Sequence, residues 1–494
     1  MKFTLIYPEI REGFPDFKGD YSDGIASILT CLRNAGHEAS LFHITSHITK
    51  EVFLQELEKR SPDLVAFSAM TNTFKYVEQY ATWVKENLSI PVMAGGIHAT
   101  VNSEEVINLS YIDIIAIGEG EEAIVNFCNR MEQGENISDT QGFWVKNENG
   151  IHKNPVHPLT TDLDTLPTPD RSFFDYEHLL SSQERIAYFT ASRGCPYDCT
   201  YCANTSLKNT YNAKKAFIRF KSVPKAIEEI KQNLEHYPFI KYVFFQDDIL
   251  PMRKEWFREF AEAYKREINV PYYCNIYPGM VDEETVRLLK HSGCATAAVG
   301  IESGNEEIRR NLLKRKVSDA KIENAFRLFR EQGIKTRAYN MVGLPTETRE
   351  TIFDTIDLNA RIKPDFSGLA IYYPYPSTAL YDTCIEKGMM SDETADTYYE
   401  KSVLNQPALT NDETVFALWY FKFFTVILQT IYAMPFPKGM ESFLIGAVRK
   451  TFCFKWLPVK ALTSVSKAVW KVLRVVYLKF VIKFYSRQKK FFNS

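Results

Sequence analysis

The sequence predicts an α/β protein built from a doubly wound parallel sheet, a partial (β/α)6 barrel and a helical C-terminal region. Three observations carry this. Short continuous apolar runs alternate with amphipathic helical patterns over residues 2–133; the alternation resumes over about 186–390; beyond that, strand-like runs stop. Continuous apolar strands between helices mark parallel sheets covered on both faces.

The first unit, residues 1–138, places strands at "FTLIYP", "ASLFHI", "DLVAFSA", "IPVMAGG" and "IDIIAIG", with helices at "SDGIASILTCLRNAGH", "KEVFLQELEKR", "YVEQYATWVKENL" and "EEAIVNFCNRM". Such sheets bind ligands at the carboxyl ends of their strands. The loops there, "SAMTNTF", "AGGIHAT" and "GEGEE", are rich in small and hydroxyl residues. Residues 139–185 hold a hairpin around Asn149-Gly150 and then an ordered Pro- and Asp-rich linker. The second unit, 186–390, supplies six strands: "IAYFTASRG", "KYVFFQDD", "YYCNI", "ATAAVGIES", "KTRAYNMVGLP" and "FSGLAIYYPYP". A parallel barrel does its chemistry at the carboxyl ends of its strands. Residues 391–494 are read as helical. There "VFALWYFKFFTVILQTIYAM" nearly reaches the length of a membrane span, but Lys422 and Gln429 interrupt it and Pro435 ends it. The expectation is a packed or interfacial helix.

With 45% hydrophobic and 24% charged residues, 494 residues can bury two sizeable cores. Six of the nine cysteines stand singly, which suits a reducing compartment rather than a disulfide framework. "MKFTLIYPEI" has no basic region leading into a long apolar run, so a cytoplasmic location is expected.

The other three cysteines, Cys195, Cys199 and Cys202, lie in "SRGCPYDCTYC", just after the first barrel strand. Thiolates at this spacing can converge on one inorganic centre. A structural zinc site normally takes four ligands, and no fourth Cys or His lies nearby. An iron-sulfur cluster held by three Cys leaves one iron open. Three unrelated buried cysteines is the remaining reading.

This run resembles the signature of the radical S-adenosylmethionine superfamily, CxxxCxxC with an aromatic, here Tyr201, before the third Cys. The resemblance implies that the three Cys hold a [4Fe-4S] cluster whose open iron chelates the amino and carboxylate groups of S-adenosylmethionine. Further stretches follow in the family's order. "FFQDD", with Asp247 and Asp248, matches the methionine-amino contact. "VGIESGNEEIRRNLLKR", with Glu302 and Ser303, matches ribose and carboxylate contacts. "NMVGLPTET", with Gly343, matches the adenine-binding strand end. Each has a plainer reading beside it: the aspartates as helix caps, Gly300 and Gly304 as turn residues, "GLP" as a strand exit. Asn275 stands near where relatives often carry Arg.

A doubly wound, Rossmann-like domain before such a barrel resembles the cobalamin-binding subgroup, the class B methyltransferase-like enzymes. The subgroup's DxHxxG motif is absent; "AGHEASLF" has His37 without its pattern. His98 is expected beside the corrin ring or tail, not on cobalt, or as a histidine satisfied by backbone. Ser68, Thr71 and Thr73 either bond the nucleotide loop or cap the next helix. Gly95, Gly96, Gly118 and Gly120 are close-approach positions, since a flat macrocycle needs backbone without side chains. Glu119 sits in the same loop, where a helix start also favours acidic residues.

From residue 442 to the end there are twelve Lys or Arg and no Asp or Glu, leaving 47 basic residues against 61 acidic ones in the rest. Leu462, Val465, Val469, Val472, Leu473, Val476 and Phe480 recur at helical steps opposite Lys460, Lys467, Lys471 and Arg474. An amphipathic basic helix reads as peripheral contact with the inner face of a membrane, or as a helix packed on the barrel. No RNA-binding module is present, and nucleic acid is not expected.

The resemblance implies reductive cleavage of S-adenosylmethionine to a 5′-deoxyadenosyl radical and methyl transfer through cobalamin to an unactivated carbon. The substrate would be a small or lipid-like molecule, and a flavodoxin or ferredoxin type protein would supply the electron. The alternatives are a non-methylating cyclase or oxidase with the same cofactors and a non-catalytic iron-sulfur redox sensor.

Overall fold

In the computed structural model, which describes residues 1–11, 17–212, 216–393, 395 and 397–469, the first sheet contains β1 (Lys2–Pro8), β2 (Glu38–Ile44), β3 (Leu64–Ser68), β4 (Val92–Gly95) and β5 (Ile114–Ala116). These five run parallel in the order β2-β1-β3-β4-β5. Phe3 and Leu5 of β1 pack with Ile25, Leu29 and Phe127 on one face. Ile6, Val65 and Phe67 pack with Phe53, Val77 and Tyr80 on the other. Burial on both faces is why these strands read as unbroken apolar runs. The expected hairpin, β6 (Phe143–Asn147) and β7 (Gly150–Lys153), is present, but β6 pairs antiparallel with β5. It therefore belongs to the first sheet rather than to the linker.

The linker is held by a buried cation. The Arg171 guanidinium lies 4.0 Å from the Tyr21 ring centroid, 4.6 Å from Phe189 and 5.2 Å from Tyr176. It also donates to the Tyr176 hydroxyl and the Tyr188 carbonyl. One residue thus ties first domain, linker and barrel through cation–π contact.

The barrel strands are β8 (Ile186–Phe189), β11 (Tyr242–Phe245), β12 (Tyr272–Ile276), β13 (Cys294–Glu302), β14 (Lys335–Val342) and β15 (Phe366–Ile371). A short antiparallel ribbon, β9 (Ser192–Arg193) with β10 (Arg219–Phe220), lies between the first two. All six barrel strands are parallel neighbours in chain order, open between β8 and β15. Side-chain caps start the outer helices where hydroxyl or acidic residues precede them: Ser222, Asp282, Ser318 and Thr348 each accept a backbone N–H of the first turn.

The helix Asn411–Ala433 is the one span among the described residues long and apolar enough to cross a membrane. One side of it, Phe416, Phe421, Phe424 and Leu428, packs with Ile352, Phe353 and Ile356 of the helix Arg349–Ile362. The helix Lys438–Cys453 joins the same cluster through Phe452. Of the basic helix expected near the end, residues 459–469 are helical. The remainder lies outside the described residues.

Candidate active site

The cysteine loop begins where Gly194 takes φ +89°, and a Cβ there would stand 2.3 Å from the Phe217 carbonyl oxygen. Only glycine fits both the left-handed backbone and that approach. The loop is then pinned at several points. Buried Lys208 donates to the Tyr197 carbonyl at 2.7 Å and pairs with Asp198. The Thr200 hydroxyl donates to the Leu312 carbonyl at 2.6 Å, and the Leu380 N–H donates to the Thr200 carbonyl at 2.9 Å. A short loop without regular structure keeps one shape because its neighbours hold it.

Cys195, Cys199 and Cys202 line one cavity of about 190 Å³, together with Tyr201, Asp248, Asn275, Tyr277, Glu302 and Arg315. It lies at the carboxyl ends of the barrel strands. Burial pushes the Cys195 thiol up to about 12 and the Cys202 thiol up to about 11; binding iron would displace those protons. Among the described residues no three His, Cys, Asp or Glu close around a single-ion position. A four-iron cluster places each sulfur on a different iron, so its ligands stand wider apart than those of one ion. Three thiols facing one cavity, with no fourth ligand, fit such a cluster with one iron left open.

The two adjacent aspartates diverge. Asp248 faces the cavity and accepts from Asn204 Nδ2 at 2.8 Å, with burial raising its carboxyl. Asp247 instead turns inward, accepting the Ser192 hydroxyl and, at 3.1 Å, the Ala191 N–H. It clamps the strand that leads to the cysteines, and burial raises its carboxyl to about 6.

Glu302 ends β13 with φ +71°, an unusual conformation for a residue with a side chain. A register shift in the β13–β14 pairing at Gly300/Glu302 accompanies it. Its carboxylate turns back over Gly300, where a Cβ would sit 2.4 Å from Oε1. Arg315, the last residue of the run "VGIESGNEEIRRNLLKR", is the site residue the sequence reading did not single out. Its Nη2 donates to the Gly300 carbonyl at 2.6 Å. Its Nη1 reaches Tyr201 Oη at 3.2 Å, Cys199 Sγ at 3.7 Å and Glu302 Oε1 at 3.9 Å. The guanidinium lies 4.8 Å from the Tyr277 ring, which stacks on Tyr197 at 3.9 Å. Asn275 donates to the Asp247 carbonyl at 3.0 Å, so the cation of this cavity comes from Arg315. Ser303 is fully buried and its hydroxyl accepts the Asn305 N–H, away from the cavity. Gly343, φ +80°, gives its N–H to Glu347, whose buried carboxyl also accepts the Leu344 N–H.

At the edge of the first sheet, Gly96, Gly118 and Glu119 line a cavity of about 350 Å³ shared with Gly194, Asn204 and Asp248 of the barrel. A second, of about 390 Å³, lies beside it, and both are lined by Thr100. Gly118 is a close-approach position, but the group that approaches is Tyr211: a Cβ would stand 2.1 Å from its hydroxyl oxygen. Glu119 pairs with Arg219 through both oxygens, at 2.6 and 2.7 Å, and Glu121 pairs with Arg193 at 2.6 Å. These acidic residues bind the two domains together. His98 is buried against Phe74 and its Nδ1 lies 3.1 Å from Thr71 Oγ1; burial lowers its pKa to about 4 and keeps it neutral. Thr73 closes the turn at Met70. Ser68, Gly95 and Gly120 lie in the same loops without lining the shared cavity. Either cavity alone would take part of a corrin. Their glycine backbone and hydroxyl lining at the carboxyl ends of β4 and β5 suit such a group.

Known proteins resemble both domains of this chain. The radical SAM superfamily family matches residues 189–358, and the B12 binding domain family matches residues 17–127. The anaerobic magnesium-protoporphyrin IX monomethyl ester cyclase of Rubrivivax gelatinosus is 24% identical over 400 residues, 78% of this chain and 70% of that enzyme. The hopanoid C-3 methylase of Methylococcus capsulatus is 26% identical over 371 residues, 73% and 68% of the two chains. In fold, the chain is similar to the radical S-adenosylmethionine methyltransferase TsrM of Kitasatospora setae, with TM-score 0.66, 18% identity and coverage of 83% and 80%. It is likewise similar to the cobalamin-dependent S-adenosylmethionine radical enzyme OxsB, with TM-score 0.67, 14% identity and coverage of 92% and 72%.

Proposed function

Since the chain belongs to the radical S-adenosylmethionine enzymes that carry a B12-binding domain before the barrel, we propose that it methylates an unactivated carbon of a small or lipid-like substrate. The observation that carries this reading is the cavity in which three cysteines meet Asp248, Glu302 and Arg315, which shares Asn204 and Asp248 with the cavity lined by Gly96 and Gly118. Two carboxylates and one guanidinium around a single opening suit a zwitterionic amino-acid head group such as that of S-adenosylmethionine.

When bound, the cluster, S-adenosylmethionine and cobalamin supply the electron, the radical and the methyl group. The protein's own work is placement. Cys195, Cys199 and Cys202 would hold the cluster, with Arg315 fixing the loop beside Cys199. Asp248 would accept from an ammonium group, steadied by Asn204. Glu302, held back over Gly300, would accept from a hydroxyl or ammonium at the strand end. Gly96 and Thr100 would meet the corrinoid. The Glu119–Arg219 and Glu121–Arg193 pairs keep the two cofactor regions in register, since a small error in alignment costs much of the rate. An external flavodoxin- or ferredoxin-type protein would deliver the electron.

The test is anaerobic reconstitution, with iron and cobalt quantified, followed by S-adenosylmethionine and a reductant. The intact chain should form 5′-deoxyadenosine, and Cys195→Ala, Cys199→Ala and Cys202→Ala should each fail; undiminished 5′-deoxyadenosine from these variants would refute the assignment. The cyclase relative favours a second reading, ring closure or oxidation without methyl transfer. Product carrying no methyl group from labelled S-adenosylmethionine would select it.

A further inference from the structure

The helix Asn411–Ala433 buries one side and leaves Phe423, Val426, Thr430 and Met434 open along the other. The turn that follows, Pro435 to Pro437, is exposed at every residue. The helix Lys438–Cys453 then repeats the pattern: Met440, Phe443 and Ala447 face out while Leu444, Ile445, Val448 and Phe452 pack inward. Phe443 is 73% exposed and Trp456, just beyond the helix, is 81% exposed. Apolar side chains that are consecutive around a turn and periodic along two helices form one contiguous patch, and patches of that kind mark binding surfaces.

The charges around the patch select its partner. Lys438, Lys450, Lys455, Lys460 and Lys467 are all exposed. The nearest acidic residue in the chain is Glu441, and none follows it. Residues 470–494 carry only basic charge on their side chains, so they cannot neutralise these lysines. Arg449 is paired to Glu350 and Asp354 and Glu441 lies within the patch, but the exposed lysines outnumber it five to one. Exposed apolar and aromatic side chains framed by such an excess of lysines are the chemistry of an anionic lipid interface. The same hairpin adjoins the reaction chamber: Lys422, Val426 and Gln429 line the outer end of a cavity of about 560 Å³ that reaches Glu302 and Tyr339 past the open edge at β15.

We propose that the helical hairpin 411–453, with Phe454 and Trp456, is a docking surface for an anionic lipid bilayer that seats the open edge of the barrel at the membrane. The proposal does not depend on which reaction the site performs.

The test is co-sedimentation of the full, cofactor-loaded chain with vesicles of phosphatidylcholine alone and of phosphatidylcholine with phosphatidylglycerol. Binding is expected to the second kind and to weaken as salt rises. The double variant Phe443→Ser/Trp456→Ser should lower the partition coefficient about tenfold or more. Lys438→Gln, Lys450→Gln and Lys455→Gln should each lower it roughly fivefold. Iron content and 5′-deoxyadenosine formation in solution should stay at the parent level in all of them, which separates lost docking from lost folding. Absence of binding to phosphatidylglycerol vesicles overturns the proposal. So does binding that ignores Phe443→Ser/Trp456→Ser but vanishes in Lys471→Gln/Arg474→Gln/Lys479→Gln, which would assign it to the terminal segment. A change confined to self-association, read by light scattering without vesicle binding, would make the patch a protein interface and overturns it equally.

Discussion

Replacing Glu347 by Gln should flatten the pH dependence of the barrel's stability. Glu347 is fully buried, accepts the Gly343 N–H at 2.7 Å and the Leu344 N–H at 3.2 Å through Oε2, and has no partner for Oε1. Among the described residues no cation acts on it, and burial raises its pKa from 4.5 to about 8. At about 1.4 kcal/mol per pH unit, that gap is worth ~5 kcal/mol between the two limits. A raised folded-state pKa means the native chain holds a proton that the unfolded chain has released. The stability tied to that proton is therefore fully present below about 4.5 and is lost as pH rises through about 8. Between pH 6 and pH 9 the parent protein should lose ~3 kcal/mol relative to Glu347→Gln, whose neutral amide mimics the protonated acid. The two should be within ~1 kcal/mol near pH 4, where the parent is protonated folded and unfolded, and already ~2 kcal/mol apart at pH 6. Urea unfolding of both proteins, followed by far-ultraviolet circular dichroism across this range, measures the difference and cancels the other titrating groups. Identical pH profiles would show that Glu347 is ionised in the fold and that the reasoning from burial is wrong.

Two further changes probe the cluster loop and its cation. Gly194→Ala forces a Cβ into the Phe217 carbonyl at a left-handed position; it should cost ~2 kcal/mol or more and lower iron content, read by iron assay and urea midpoint. Arg315→Lys keeps the charge but cannot hold Gly300, Tyr201 and Cys199 together from one planar group. The KM for S-adenosylmethionine in 5′-deoxyadenosine formation should rise about tenfold or more with iron content retained. Loss of iron with an unchanged KM would make Arg315 a support for the loop alone.

The strand-helix alternation of both domains was legible residue by residue, because burial on both faces of a parallel strand and on one side of a helix writes a period into the chain. The clustering of three cysteines within eight residues was legible too, and the structure turns all three toward one cavity. Asp247 and Asp248 were not separable: neighbours on an extended segment point to opposite sides, and only the position of Ser192, 55 residues away, shows which one turns inward. Glu119 looked like an ordinary acidic helix start until Arg219, 100 residues later, came to face it. The apolar run at 415–434 passed for a near-span on composition alone, and packing against the helix Arg349–Ile362 explains half of it.

By itself the sequence determined which elements form, in what order, and that three thiols lie in one loop with no fourth Cys or His beside them. It also determined that the last part of the chain has no acidic residue to answer its lysines. Only the tertiary structure decided that Arg315 is the cation of the cavity, that Tyr211 fills the space at Gly118, that the hairpin at 143–153 extends the first sheet, and that Phe443 and Trp456 stay open. Local order follows from periodicity and backbone geometry within a few residues. Each of the others depends on groups brought together from distant parts of the chain, or on what the fold leaves uncovered, and no local pattern encodes either.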